Sequence, residues 1–269
     1  MYSRVYVEIT NQCNRNCSFC PGTSRQPGMM TMDAFGQVLQ KLQGITQMLY
    51  FHLRGEPLTH PDLPEMIRAA KAEGFRSGIT TNGTLLARRG KAMVEAGVYK
   101  VNISIHSFEQ GAVEEYTRYI DEYASRNGVL VVLRLWNQGS DDGRNDETLL
   151  RMTRRFPQPW KEGPRGTRLQ DRLYLEYGSR FRWPDLQEED MGQQVFCYGL
   201  RDHFGILCDG TVVPCCLDHN GDIPLGSIFQ QDIREILSSS RAKSMVEGFS
   251  CRRASEELCR KCGYARRFG

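Results

Sequence analysis

Residues 13–20, Cys-Asn-Arg-Asn-Cys-Ser-Phe-Cys, constrain this chain more than any other stretch. Three thiols, Cys13, Cys17 and Cys20, fall within eight residues, directly after the extended run Arg4-Val-Tyr-Val-Glu-Ile-Thr10. They can close on one iron–sulfur cube only if the chain between them loops. Asn14, Arg15 and Asn16 suit a loop and resist a strand. Thiolate is the soft ligand that suits iron–sulfur clusters and zinc. Three ligands on a four-iron cluster leave one iron open to a small molecule, whereas a four-thiolate cluster is saturated. On spacing alone, a zinc knuckle short of one ligand and three buried thiols stay open as alternatives.

The rest of the composition excludes several classes. Net charge is +3, from 35 basic and 32 acidic residues, too even to argue for nucleic acid or a membrane surface. Hydrophobic content of 40% and charge of 25% are ordinary for a globular protein. No apolar run approaches the roughly 20 residues of a membrane span, and the start, Met-Tyr-Ser-Arg-Val, lacks a secretory stretch. Ten cysteines without a signal peptide point to metal or catalysis in a reducing, cytoplasmic setting.

Strand-like and helix-like stretches alternate through the first half. Strands are expected over 5–10, 48–53, 77–81, 100–105, 129–136 and 173–177. Helices are expected over 32–42 with Thr31 as cap, from Pro61-Asp62 through Ala72 with Gly74 as its stop, and over 85–96, 110–126 and 146–156. Regular βα alternation means parallel strands, and six units are too few for a full eight-stranded barrel. After Phe156 the composition shifts: Pro157, Pro159, Gly163 and Pro164 mark a connection, and 165–172 is a basic stretch read as a loop. The remaining cysteines crowd into 197–262, which places a boundary near 190 and gives domains 1–190 and 191–269.

The CX3CX2C pattern, with aromatic Phe19 just before its last Cys, resembles the signature of radical S-adenosylmethionine (SAM) enzymes. The resemblance implies an α/β fold built as an open, partial (β/α)6 TIM-like barrel. It also implies a 4Fe-4S cluster on Cys13, Cys17 and Cys20 whose open iron chelates the amino and carboxylate groups of SAM. Reductive cleavage of SAM to methionine and a 5′-deoxyadenosyl radical would follow. Gly55-Glu56-Pro57 resembles the family's GGEP motif, with Arg54 in place of the first Gly, and would receive the SAM amino group. Thr80-Thr81-Asn82-Gly83 resembles the TNG stretch that lines the site; an Asn-Gly turn with a Thr cap is the plain alternative. Ser104-Ile105-His106 stands where relatives carry Ser-Ile-Asp, with Ser104 and His106 expected on one strand face. His106 is the catalytic candidate, as proton acceptor or ribose ligand, against a reading as polar filler. Arg134, inside an apolar run, needs a partner, and the SAM carboxylate is the expected one.

Seven cysteines remain. Cys197-X12-Gly210-X4-Cys215 resembles the opening of a SPASM or Twitch domain, the auxiliary-cluster extension of radical SAM enzymes. Asp209-Gly210 is a hairpin signal between apolar runs, 234–246 reads as a helix, and Cys259-Arg-Lys-Cys262 is a CX2C knuckle. Cys197, Cys215, Cys259 and Cys262 make a four-thiolate set for one auxiliary 4Fe-4S cluster, the shorter Twitch arrangement; structural zinc is the rival. Cys208, Cys216 and Cys251 are left over. The spacing, including Glu8 before the cysteine loop, is also similar to that of 2-deoxy-scyllo-inosamine dehydrogenases, short radical SAM proteins with a Twitch end.

The expected function is two-electron oxidation of a small molecule, the auxiliary cluster taking one electron and an external donor such as flavodoxin or ferredoxin reducing the SAM cluster. Two alternatives stand beside it. One is a maturase that modifies a ribosomally made peptide; the chain begins almost at its first strand, without the leader-binding domain such enzymes often carry. The other is a non-enzymatic zinc- or cluster-binding protein, which leaves Gly55-Glu56, Ser104 and Arg134 unexplained.

Overall fold

The computed structural model describes residues 1–107, 119–120, 127–138, 144–164 and 166–268. The chain divides into two compact units: Met1–Gly55 with Glu73–Phe75 and Phe181–Gly269, and Glu56–Ala72 with Arg76–Arg180.

In the first unit, β1 (Arg4–Val7) buries Val5 and Val7 and takes a parallel neighbour on each side. One is β2 (Met48–Tyr50), with Val5 opposite Leu49. The other is β8 (His203–Ile206), which runs from Arg4 opposite His203 to Val7 opposite Ile206. The antiparallel strands β9 (Thr211–Val213) and β10 (Gly226–Ser227) extend this edge. The expected hairpin is present between β8 and β9. Gly210 turns it with φ +86°, and Thr211 N–H caps Asp209 Oδ1 at 2.9 Å. Helix α1 (Met32–Lys41) starts where Thr31 Oγ1 accepts the Ala34 N–H, and it buries Phe35, Val38 and Leu39. The expected helix over 234–246 is instead two, α5 (Ile233–Leu237) and α6 (Ser240–Ser250). The break falls at Ser239, whose hydroxyl accepts the Ala242 N–H and so begins a new helix rather than continuing the old one. A short α7 (Glu257–Arg260) follows.

In the second unit, β3 (Arg76–Thr81), β4 (Lys100–Ser104), β5 (Leu130–Gln138) and β7 (Leu173–Ser179) are parallel neighbours in that order. With β1 and β2, all six expected strands are present. Their apolar runs fit strands covered on both faces. Between them lie α2 (Leu63–Ala72), α3 (Leu86–Glu95) and α4 (Arg144–Arg155). Helix α4 carries Asp146 and Glu147 in its first turn and Arg154 and Arg155 in its last, each end matched to the helix dipole. The basic stretch read as a loop contains a strand, β6 (Thr167–Gln170), antiparallel to β7. Thr167 and Leu169 face inward while Arg168 and Gln170 do not, so the basic side chains are the outer half of an alternation. The expected helix over 110–126 lies outside the described residues, apart from 119–120.

Candidate active site

The cysteine loop is a closed excursion from the end of β1. Thr10 bridges Met29, and the Met30 N–H donates to the Ile9 carbonyl at 2.8 Å. Asn11 works from both ends of its amide: Nδ2 donates to the Gln26 carbonyl and Oδ1 accepts the Gly28 N–H, each at 2.8 Å. Thr10 Oγ1 adds a bond to the Gly28 carbonyl at 3.1 Å. Residues 12–27 are therefore held at their base while the thiols stay accessible. Cys13 is exposed, and Cys17 and Cys20, joined by a 3.0 Å turn bond, are half-buried, as is Phe19 between them. Burial pushes the Cys17 thiol up; Arg15 opposes that, Cys20 and Cys13 add to it, and Arg54 opposes it.

A second tie runs to the far end of the chain. Glu8 is fully buried, and Arg25 Nη2 lies 2.7 Å from each of its carboxylate oxygens. Arg25 Nε donates to the His219 carbonyl at 2.8 Å, and the Cys208 N–H donates to Glu8 Oε1 at 3.3 Å. Thr23 and Ser24 both bond Asn220 Oδ1. Glu8 was legible only as a matching position. Arg25, Thr10 and Asn11 were not singled out by sequence, because their partners are backbone groups or distant in the chain.

Gly55 sits at φ +74°, and a Cβ there would stand 2.4 Å from the Thr10 carbonyl oxygen and 2.8 Å from that of Gln12. Glycine is required here for the approach of the chain entering the cysteine loop. Among the described residues no backbone N–H donates to the Gly55 carbonyl, which leaves it open to a ligand's ammonium. Glu56 is buried, accepting the Leu58 N–H at 3.0 Å and the Asn82 N–H at 2.7 Å. Burial pushes its carboxyl up to about 7, against the pull of the Asn82 and Leu58 N–H groups and Thr81. Pro57 opens the 3-10 turn Pro57–Thr59 that this carboxylate caps. Thr81 Oγ1 accepts the Gly83 N–H at 3.0 Å, and Asn82 Oδ1 accepts both the N–H and the hydroxyl of Thr84. The turn-and-cap reading therefore describes these side chains, with Glu56 pinning the turn.

Ser104 and His106 do not share a strand face. Strand β4 ends at Ser104, and Ile105–Ser107 is a 3-10 turn, so the strand alternation expected of them stops one residue too early. His106 Nδ1 lies 3.0 Å from the Arg134 carbonyl, and burial lowers its basicity, which keeps the imidazole neutral. Arg134, opposite Ser104 in register, has a protein partner: its Nε donates to Glu176 Oε2 at 3.1 Å, and its guanidinium lies 4.6 Å above the Trp136 ring. Glu176, one strand over, thus supplies a carboxylate to the Nε of Arg134.

All four C-terminal thiols lie in the first unit; among the described residues no group of three or more Cys, His, Asp or Glu is placed closely enough to hold a metal ion. Gly199 lies between Cys197 and Cys215; its built Cβ would stand 3.7 Å from the Cys197 Sγ and 3.7 Å from the Cys215 Cβ. Burial raises Cys215 well above the ordinary thiol value, and the charges of Cys216, Cys197, Cys262 and Cys259 raise it further. Cys262 is pushed up to about 11, by burial first, while the Ala265 and Tyr264 N–H groups pull it down. Cys197 likewise receives the Gly199 N–H, at 3.3 Å, and that of Tyr198. Backbone N–H groups aimed at sulfur stabilise thiolate and tune cluster potentials. An all-sulfur donor set with such N–H groups fits an iron–sulfur cluster. Of the leftovers, Cys216 packs against Leu53, Leu207 and Val213, Cys208 faces Arg25, and Cys251 is exposed at the end of α6.

The chain thus carries one three-cysteine loop and one four-cysteine set. The family model of the radical SAM superfamily matches residues 7–132, and that of an iron-sulfur cluster-binding domain, SPASM, matches 197–263. The chain carries a radical SAM domain followed by a SPASM domain. Its clusters are accordingly a SAM-binding 4Fe-4S cluster and an auxiliary iron–sulfur cluster. The tungsten-containing aldehyde ferredoxin oxidoreductase cofactor-modifying protein of Pyrococcus furiosus is 38% identical over 106 residues, 38% of this chain and 30% of that protein. Matches to the first curated relatives span only 30% to 43% of their lengths. Among solved structures, BtrN in complex with AdoMet and 2-DOIA aligns with a TM-score of 0.68 at 18% identity, over 97% of this chain and 93% of that one. Native anSMEcpe with bound AdoMet and Cp18Cys peptide aligns with a TM-score of 0.65 at 13% identity, over 97% and 88%. These likenesses show the fold, a radical SAM partial barrel with a cysteine-rich end. Among the described residues no helix is long and apolar enough to cross a membrane.

Proposed function

We propose that this protein is a cytoplasmic radical SAM oxidoreductase that removes two electrons from a small molecule. The observation that carries the reading is the match of residues 197–263 to an iron-sulfur cluster-binding domain, within which Cys197, Cys215, Cys259 and Cys262 offer four thiolates. A cluster held by four thiolates has no open iron, so it exchanges electrons without binding substrate. Cys13, Cys17 and Cys20 would hold the other cluster, with Phe19 spacing the last two. When bound, that cluster supplies the electron that cleaves SAM, after which a hydrogen atom is taken from a substrate C–H bond.

The chain's own residues would orient SAM. The open Gly55 carbonyl accepts its ammonium, and the Gly55-Glu56-Pro57 turn is fixed by Glu56 on the Leu58 and Asn82 N–H groups. Thr81 and Asn82 hold the adjoining turn. Ser104 offers a hydroxyl to the SAM ribose or carboxylate, and Arg134, its Nε on Glu176, offers its remaining N–H groups. His106, with Nδ1 3.0 Å from the Arg134 carbonyl and its basicity lowered by burial, is the candidate proton acceptor that the oxidation needs. The working division is 1–190 for SAM chemistry and 191–269 for electron acceptance, with a flavodoxin- or ferredoxin-like protein as donor.

Modification of a peptide is the second reading. It is favoured by the likeness to anSMEcpe, solved with AdoMet and a peptide. Anaerobic reconstitution, iron counting and SAM turnover test the proposal. About eight irons are expected per chain, falling to about four with loss of 5′-deoxyadenosine in a Cys13/Cys17/Cys20→Ala variant. About four irons in the unaltered protein, with SAM cleavage retained, would remove the electron-acceptor role.

A further inference from the structure

Arg54 stands where the family motif has glycine, so this chain has placed a guanidinium at a position that is normally bare. Its guanidinium carbon lies 5.5 Å from the centroid of the Trp183 ring. Trp183 is in turn met edge-on by His219, with ring centroids 5.7 Å apart. His219 is buried, and its Nδ1 is anchored 3.0 Å from the Leu217 carbonyl. The indole is thus in contact with both the His219 ring and the Arg54 guanidinium.

Among the described residues Arg54 has no carboxylate partner. Its Nε is buried without a hydrogen-bond acceptor. A buried donor left without an acceptor is destabilising, more so when charged, so the arrangement calls for a group that completes it. Arg25, the other cation that acts on His219, is fully committed to Glu8 and the His219 carbonyl. Arg54 directly precedes Gly55, whose Cβ position lies 2.8 Å from the Gln12 carbonyl oxygen, which places Arg54 beside the start of the loop where SAM cleavage is proposed. A planar guanidinium stacked on an aromatic face presents its N–H edge in a fixed fork, the geometry that pairs with a carboxylate or phosphate.

We propose that Arg54, stacked on Trp183 and braced by His219, recognises an oxyanion of the substrate, a carboxylate or a phosphate ester. The inference rests on the reading of this chain as a radical SAM enzyme and narrows its substrate to an anionic molecule. Losing a fork-type, charge-assisted contact weakens binding by about 10- to 100-fold.

The test uses the full, cluster-loaded and reduced protein with SAM present. The paramagnetic clusters broaden the NMR signal of a bound anion, so inorganic phosphate is followed by phosphorus NMR and isotope-labelled acetate by carbon NMR. Saturable broadening is expected in the unaltered protein. It should weaken at least about tenfold in Arg54→Gln and by less in Arg54→Lys, which keeps charge without the fork. Response to phosphate alone or to acetate alone identifies the group. Iron content and the SAM-induced change in the electron paramagnetic resonance spectrum control for folding and for SAM binding. Three results overturn the proposal: no saturable broadening in the unaltered protein, equal broadening in Arg54→Gln, or loss of the SAM-induced change in Arg54→Gln, which would assign the guanidinium to SAM. Anion binding is read without SAM cleavage, so failure of the enzymatic reading shows separately, as a fully loaded protein that never cleaves SAM.

Discussion

Gly55→Ala is the sharpest perturbation of the site, because two separable terms oppose it. At φ +74° an alanine sits in the left-handed region, at about 1–2 kcal/mol. The new Cβ would also stand 2.4 Å from the Thr10 oxygen, 2.8 Å from the Gln12 oxygen and 2.9 Å from the Asn11 carbonyl carbon. All three are backbone atoms fixed by the Asn11 amide bonds and the Thr10 bridge, so no flexible side chain can give way. Overpacking of this kind adds about 1–3 kcal/mol, for roughly 2–5 kcal/mol in all. Gly74→Ala is the matched control: φ is +84° but nothing lies within 4 Å, so only the conformational term applies. Urea unfolding of the cluster-free chain should show Gly55→Ala less stable than Gly74→Ala by about 1–3 kcal/mol. Reconstitution should show it retaining less iron, because the displaced segment leads directly into Cys13. Equal midpoints and equal iron for the two variants would refute the argument that this glycine exists for backbone approach.

Two further outcomes follow from the charged core. Glu56 has its folded-state pKa raised to about 7, above an unfolded value of about 4.3. Its contribution is therefore fully present below the unfolded value and is lost as pH rises through about 7. The shift corresponds to a difference on the order of 3 kcal/mol, read as the difference between the pH–stability profiles of the unaltered protein and Glu56→Gln; parallel profiles would contradict it. Arg25→Ala strands the fully buried Glu8 carboxylate, and a loss of about 3–5 kcal/mol is expected. The Glu8→Gln/Arg25→Ala double variant should recover part of that loss, and strict additivity in the double-mutant cycle would show the pair to be uncoupled.

The sequence disclosed elements whose signal is local. Six strands were legible because each is a short apolar run bounded by turn residues, and the Asp209-Gly210 hairpin because its turn chemistry is specific. Strand β6 was hidden because its outward residues, Arg168 and Gln170, made a four-residue alternation look like a basic loop. The split between α5 and α6 turned on the role of Ser239, a serine that the surrounding helical spacing outvoted. At the site, the thiols were legible by residue type alone. What could not be read was pairing at a distance. Arg134 meets Glu176 across neighbouring strands, and Arg25 meets Glu8 and His219 from opposite ends of the chain.

The place of β1 between β2 and β8 has a consequence for biogenesis. Strand β1 leaves the ribosome well before its partner on one side, His203–Ile206, which emerges about 200 residues later. At about 5–20 residues per second that delay is roughly 10–40 s. Throughout it the Val5–Val7 edge lacks its partner, and Glu8 lacks the Cys208 N–H. The cysteine loop is thus made long before the contacts that complete it. Cluster insertion becomes an event that follows synthesis of His203–Ile206, and the nascent edge strand is a segment in need of a holdase.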